Sequence, residues 1–414
     1  MKLIRLVTAL LIAGNFTIAE EPPTFKVDQL ADQIYKFTID GGGYDVKVIA
    51  SIGADGILLV DTGQKGSAEA LKELVLSYGK GLPKYIIFTH AHVEHTAGNY
   101  IFGPEPVLIG HDKLRTRLRS GSYLFDEFPD HSIPELTFDK SLTLNFNGEE
   151  IRLLAFPGGH DDSDIVVWFS GSRVACIGAL ANGHHFPSID GNTGDIMKYP
   201  GIAHAVYDIL PPDVTIVPGH GADGTMADFA RFNNMLDRSF ALVKQGIDAG
   251  QDLAALQQAN ILGEFADFGG SYTSLDRWIK YIYDGYTEPA PGKDRKSLYD
   301  PIYYAIRDEG ASAAVELYQK LKREAVDEYY FRDNFPLFVG YKLYNIGRYA
   351  EALPFLQLDV KEFPGTDYEW LSYYYLGLTA KETGDIKLAR KSLKQALKLN
   401  PDEEDIKTSL AELD

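Results

Sequence analysis

Cysteine occurs once in this 414-residue chain, tryptophan three times and methionine four times. A single thiol, Cys176, excludes any internal disulfide and any cysteine-built metal cluster. It lies in the apolar run Val174-Ala175-Cys176-Ile177, which reads as a buried core position. Positive charge is also scarce: 40 Lys and Arg against 59 Asp and Glu give a formal net charge of −19. A chain this acidic, with no basic stripe, repels nucleic acid and anionic lipid, so neither is expected as a partner. Past the first residues no apolar run is long enough to cross a bilayer.

The start is different. Met1-Lys2-Leu3-Ile4-Arg5 and the apolar Leu6–Ile12, followed by small residues at Thr17-Ile18-Ala19, have the layout of a secretory signal. Residues 1–19 are therefore expected to be a signal peptide, with the mature protein periplasmic or secreted and no membrane insertion after cleavage. Hydrophobic residues make up 45% of the chain, enough for two or three well-filled cores at this length.

Histidine is present only ten times, yet three of the ten fall in His90-Ala91-His92-Val93-Glu94-His95. The cluster follows Tyr85-Ile86-Ile87-Phe88-Thr89, whose β-branched and aromatic residues read as a buried strand. Side chains two apart in an extended segment leave the same face, so His90 and His92 can grip one cation. Glu94 and His95, a turn further on, can face a second position. A zinc ion held by neutral imidazoles keeps an open place for water and lowers that water's pKa to about 7. If one ion binds, Glu94 is the natural general base; if two bind, it is a ligand.

His-X-His-X-acid-His followed by Thr96-Ala97-Gly98-Asn99 resembles the metal signature of the metallo-β-lactamase-fold hydrolases. Other segments arrive in that family's order: Asp55–Gly63, with Asp61 supporting the site from behind; Phe156-Pro157-Gly158-Gly159-His160; and Ile216-Val217-Pro218-Gly219-His220-Gly221. The resemblance spans roughly residues 25 to 290. It implies an α/β fold, an αββα sandwich, with His90, His92 and His160 at a first zinc site and Glu94, His95 and His220 at a second. Asp164 would support the His160 turn. The implied activity is zinc-dependent hydrolysis of an ester, lactone, thioester or β-lactam carbonyl in a small-molecule substrate. Two departures stand out: Glu94 replaces the usual Asp, and Ala179 stands where a metal-bridging Asp is usual. One ion, two ions or a degenerate site are all compatible with this pattern. His184 and His185, shortly after Ala179, are candidates for a replacement ligand or a substrate contact. The alternative is a non-catalytic sensor or scaffold on the same fold.

Alternating runs from Phe25 to Asp61, helices near Ser67–Tyr78 and Lys113–Leu118, and strands at 142–146, 151–156, 165–169, 174–177 and 214–217 suggest two packed sheets with outer helices. Thr287–Lys293 reads as a linker, dividing a metal-binding domain at 20–290 from an all-α helical-repeat domain at 291–414. Beyond it Gly340, Gly347, Ala352, Leu356 and Pro364 recur 37 residues later as Gly377, Gly384, Ala389, Leu393 and Pro401. Their internal spacing resembles the tetratricopeptide repeat, lengthened by about three residues in a loop. Such repeats imply a protein partner, and 303–322 reads as a degenerate earlier pair. The whole arrangement requires that the His90, His92 and His160 rings converge, with Glu94, His95 and His220 beside them.

Overall fold

The computed structural model describes residues 25–40, 45–120, 128–190, 193–269, 273–287, 296, 298–329, 331, 334–366, 368–401 and 403–413. The expected signal peptide and most of the linker lie outside these residues.

Two sheets form the first part. One runs β1 (Phe25–Ala31), β2 (Ile34–Asp40), β3 (Asp45–Gly53), β4 (Gly56–Val60), β5 (Tyr85–Ile87), β6 (Val107–His111) and β7 (Leu136–Phe138) in that spatial order. The other holds β8 (Ser141–Phe146), β9 (Glu149–Ala155), β10 (Ile165–Phe169), β11 (Val174–Gly178) and β12 (Thr215–Pro218). In the first sheet β1 to β4 are antiparallel and β4 to β7 parallel; in the second only β11 and β12 are parallel. Helices α1 (Ala68–Ser77), α2 (Val93–Thr96) and α3 (Asp112–Ser120) belong to the first half. α4 (Tyr199–Ile209), α5 (Met226–Asp248), α6 (Leu253–Gln258) and α7 (Leu275–Thr287) belong to the second.

Period-two alternation sorts the strand residues into three packed layers. Leu58, Val60, Ile87 and Ile109 meet Ile151, Leu153, Ile165, Val167 and Cys176 between the sheets. Their neighbours Ile57, Leu59, Ile86 and Leu108 point the other way, onto Leu71 and Val75 of α1 and Leu114 and Leu118 of α3. On the far side Val166, Ala175, Ile177 and Ile216 pack against α4, α5 and α7, with Phe232, Leu236 and Trp278 at the centre. The order is helix, sheet, sheet, helix, and Cys176 is a buried core thiol as its run suggested.

Three elements differ from the sequence reading. β6 lies just before the helix read near Lys113–Leu118, β7 lies in a stretch given no element, and α4 falls between two strands where no helix was read. Both strands are short, and α4 begins with Tyr199-Pro200-Gly201, a poor helix signature redeemed by Pro in the first turn. Their burial comes from tertiary partners that a local pattern does not display.

The remaining helices, α8 (Tyr299–Glu309), α9 (Ala311–Glu324), α10 (Phe335–Asn345), α11 (Tyr349–Glu362), α12 (Glu369–Glu382), α13 (Ile386–Leu399) and α14 (Glu404–Ala411), share separate cores. The 37-residue offset has a direct physical meaning. A Cβ on Gly340 would lie 2.5 Å from Leu356 Cγ, and one on Gly377 would lie 2.6 Å from Leu393 Cγ. Both contacts are too close for any side chain, so glycine lets α10 press on α11 as α12 presses on α13. Pro364 and Pro401 follow the ends of α11 and α13, and α8 with α9 form the earlier pair.

Asp359 of α11 ties this region together. Its carboxylate accepts from Leu337 N in the first turn of α10 (3.0 Å), from Asn334 Nδ2 (3.1 Å) and from Ser372 Oγ of α12 (2.6 Å). Burial pushes its pKa up, while these three donors act against that. Removing the acceptor strands buried donors on two other helices, which costs about 1–3 kcal/mol. Asp359→Ala is expected to lower stability by that amount, read as an earlier loss of helical circular dichroism in urea. An unchanged midpoint would show that the carboxylate is dispensable.

Candidate metal centre

The candidate residues sit on one rim of the sandwich. Asp61 follows β4, the His90–His95 segment follows β5, His160 follows β9 and His220 follows β12. Strand directions place these four ends, with the start of the antiparallel β3, on the same edge. Ile165 N of the second sheet donates to Thr89 O of the first (2.9 Å), fixing one sheet against the other beside His90. α2 is a single turn whose amides at His95 and Thr96 bond back to His92 O at 3.0 and 3.1 Å. That turn, rather than a continuing extended segment, swings Glu94 and His95 toward the second position.

Two groups of three donors result: His90, His92 and His160, and Glu94, His95 and His220. Within each group the ligating atoms lie within 4.8 Å of one another. His160 Nε2 is 3.1 Å from His92 Nδ1, and His95 Nε2 is 3.1 Å from His220 Nε2. Glu94 Oε1 stands between the groups, 3.5 Å from His92 Nδ1 and 3.8 Å from His220 Nε2.

The far nitrogens decide what these contacts mean. His160 Nδ1 faces Ser188 O at 2.8 Å, and His220 Nδ1 faces Asp45 O at 2.6 Å. Both partners only accept, so each of those nitrogens carries the proton. His95 Nδ1 donates to Asp61 Oδ2 at 2.9 Å, and His92 Nε2 donates to Asp190 Oδ2 at 3.4 Å. Thr89 Oγ1 gives its own proton to Asp61 Oδ2 (2.8 Å), so it accepts from His90 Nδ1 at 2.9 Å. Every inward nitrogen is then a lone pair. His90 Nε2 is buried with no hydrogen-bond partner among the described residues, and the other four face one another in pairs at 3.1 Å. Facing lone pairs repel unless a cation stands between them. The donor set therefore fits a metal ion at each group, with the outer hydrogen bonds fixing each ring's tautomer.

Electrostatics favour the neutral form in three of the rings. Burial and the neighbouring imidazoles push His90 well below its ordinary pKa. Burial, with His92 and His95 respectively, takes His160 and His220 down to about 4. These rings stay neutral at neutral pH, as ligation requires. Burial lowers His92 too, but the Glu94 and Asp190 carboxylates raise it well above its usual value. Burial raises Glu94, and His92, His95 and His220 reverse that and hold it well below the carboxylate range.

The support is built from loops. Asp61 adopts φ 63°, an unusual conformation for a residue with a side chain. Its carboxylate accepts from Thr89 N, Thr89 Oγ1 and His95 Nδ1. Gly219 must be glycine, because a Cβ there would fall 2.7 Å from His95 Cε1. Asp164 lies under the His160 turn, accepting from His160 N and Asp161 N at 2.9 and 2.8 Å; burial pushes its pKa well up. Asp161 Oδ2 accepts from Ala91 N at 3.1 Å and so links the two ends of the first group.

Neither His184 nor His185 joins a donor group. His184 is exposed, and the His185 segment forms a bridge with Asn182. Ala179 is buried, its carbonyl accepts from Tyr199 Oη at 3.1 Å, and its methyl offers no ligand atom. His111, His131 and His204 bond to Lys113 N, Tyr100 O and Asp237, away from the cluster. Sequence reading missed Asp45, Thr89, Asp161, Ser188 and Asp190. Only Asp161, beside His160, and Thr89, beside His90, adjoin a motif.

Residues 41–220 match the family model of the metallo-beta-lactamase superfamily, and residues 370–403 match that of the tetratricopeptide repeat. The metallo-beta-lactamase type 2 of Elizabethkingia meningoseptica is 24% identical over 182 residues, covering 42% of this chain and 70% of that protein. The type 2 enzyme of Bacteroides fragilis is 29% identical over 93 residues, 22% of this chain and 37% of that protein. Among solved structures, a metallo-beta-lactamase from Pontibacter korlensis aligns with a TM-score of 0.44 at 18% identity, over 52% of this chain and 99% of that one. The chain thus carries a metallo-beta-lactamase superfamily domain at 41–220 and a tetratricopeptide repeat at 370–403.

Asp61→Asn offers a test of the supporting frame. An amide cannot accept from Thr89 N, Thr89 Oγ1 and His95 Nδ1 at once without turning its own N–H groups on a donor. Metal affinity is expected to fall roughly 10–100-fold, the usual cost of losing an outer partner. Competition with a chromophoric chelator measures it, and wild-type affinity would remove Asp61 from this role.

Proposed function

We propose that this protein is an exported zinc-dependent hydrolase that cleaves an ester, lactone, thioester or β-lactam carbonyl in a small molecule. The observation that carries the reading is the convergence of five imidazole nitrogens and one carboxylate on two adjacent points. When bound, zinc lowers the pKa of a water ligand to about 7 and polarises a carbonyl oxygen. His90, His92 and His160 would hold the first ion, and Glu94, His95 and His220 the second.

The protein's own part is positional. Asp61, the Ser188 carbonyl, Asp190 and the Asp45 carbonyl fix the proton on each ring's outer nitrogen and aim the other nitrogen inward. Glu94 is the only anionic donor of the six. Its Oε1, between the two groups, is placed to orient a water molecule or take its proton. The β-lactamase names of the relatives support carbonyl hydrolysis; the choice among the four carbonyl classes rests on assay. The extracytoplasmic setting rests on the N-terminal sequence, and the repeats suggest a protein partner beside the substrate.

The second reading, a metal-binding scaffold without turnover, draws on Ala179, which supplies no charge to offset two neighbouring cations. Zinc-loaded protein assayed on ester, lactone, thioester and β-lactam panels separates the two. Hydrolysis abolished by a chelator and restored by zinc supports the enzyme, and metal uptake without turnover on any panel supports the scaffold.

His92→Ala is expected to abolish hydrolysis and reduce zinc content, because two imidazoles rarely retain a catalytic zinc. Full activity in that variant would sink the assignment. Ala179→Asp is expected to raise tightly held metal from near one ion per chain toward two, since an added carboxylate offsets cation repulsion. Elemental analysis after dialysis reads this directly. Two tight ions in the wild type would show that Glu94, His95 and His220 suffice alone.

A further inference from the structure

The inner face of β3 carries a charge where the pattern calls for core. Val46, Val48 and Ala50 point outward into the α1 and α3 layer, while Asp45, Lys47, Ile49 and Ser51 point toward the second sheet. Lys47 is only 4% exposed. Taking an ammonium out of water costs several kcal/mol unless fixed partners compensate, and a valine would fill the same position without that cost.

The partners all point to one place. Lys47 Nζ donates to Gly221 O and to Asp223 Oδ1, the latter at 3.0 Å. The other oxygen of Asp223 binds Lys36, which is itself paired across strands with Asp28, 3.4 Å away. Along the backbone Lys47 N donates to Gly219 O at 3.1 Å. Two residues earlier Asp45 O accepts from His220 Nδ1, and Asp45 Oδ1 accepts from Gly221 N at 2.7 Å. The peptide units on both sides of His220 are therefore gripped from β3. The first donor group has a different frame, built from Asp161, Asp164, Ser188 and Asp190.

We propose that Lys47 is a positioning residue for His220, and that it sets metal occupancy of the Glu94, His95, His220 group without setting that of the other group. The inference rests on the metal-centre reading above. Lys47 touches no substrate; it acts by fixing the carbonyl that follows His220, so that Nε2 stays opposite His95.

Cobalt titrated into the metal-free full-length chain tests this, followed by visible absorption and equilibrium stoichiometry. Lys47→Met keeps the volume and leaves Asp223 paired with Lys36. It is expected to retain the first equivalent at wild-type affinity and to weaken the second roughly 10–100-fold, with the second absorption component delayed to match. Lys47→Arg is expected to restore most of that loss. Unchanged affinity at both groups in Lys47→Met, or equal weakening of both, overturns the proposal. Failure of the wild type to bind any cobalt overturns the metal-centre reading itself, a distinct outcome. Should Lys47→Met fail to fold, Asp223→Asn carries the same test, since it removes the anion that seats Lys47 while keeping the shape. Selective weakening of the second equivalent there supports the proposal, and an unaltered second equivalent overturns it.

Discussion

An imidazole has two nitrogens, and a metal needs the one without the proton. Everything at this rim follows from that constraint. Five rings must each surrender the proton to the outer nitrogen, so each requires a fixed oxygen at its back. The structure supplies a Ser188 carbonyl, an Asp45 carbonyl, the Asp61 and Asp190 carboxylates, and a Thr89 hydroxyl that Asp61 has already oriented. Thr89 gives the clearest case of coupling: by donating to Asp61 it can only accept from His90. One carboxylate thus sets a ring in each donor group.

Those oxygens come from four separated stretches of chain, and only a rigid scaffold brings them together. The three apolar layers do this, because burying Leu58 and Val60 on one side forces Ile57 and Leu59 onto the other. A one-residue slip in any strand would invert the faces and misplace the loop at its end. Bonds between Thr89 and Ile165 and between Lys47 and Gly219 then fasten sheet to sheet at the rim itself. The α5 helix that follows the His220 loop is anchored by reciprocal bonds between Thr225 and Asp228, which fix where the loop stops.

The candidate donors were legible in the sequence because residue types that can hold metal are rare in such tight spacing: His90 to His95 within six positions, and His160 and His220 each in a glycine-flanked turn. The repeats were legible for a similar reason, since Gly340 and Gly377 obey one steric demand at a fixed interval. The supporting oxygens were not. A backbone carbonyl such as Ser188 O has no sequence signature, and Asp190 lies 98 positions from its partner His92. Lys47 was hidden differently. In Val46-Lys47-Val48 the alternation reads as a solvent-facing lysine, and only the sheet packed over that face reverses the meaning.

The donor chemistry also limits which ion the site suits. Five imidazoles and a single carboxylate favour zinc and similar borderline ions over magnesium or calcium, which take oxygen ligands. With one negative donor for two groups, two divalent ions would keep most of their charge, and Ala179 adds nothing to offset it. Asp61 and Asp190 reduce that excess without touching a metal, through the protons of His95 and His92. Negative charge has been placed behind the rings, where it strengthens them as ligands, and withheld from the space between the ions. On the proposed reading that space stays open to an incoming carbonyl, so the residue that weakens the second site also clears the place where a substrate would bind.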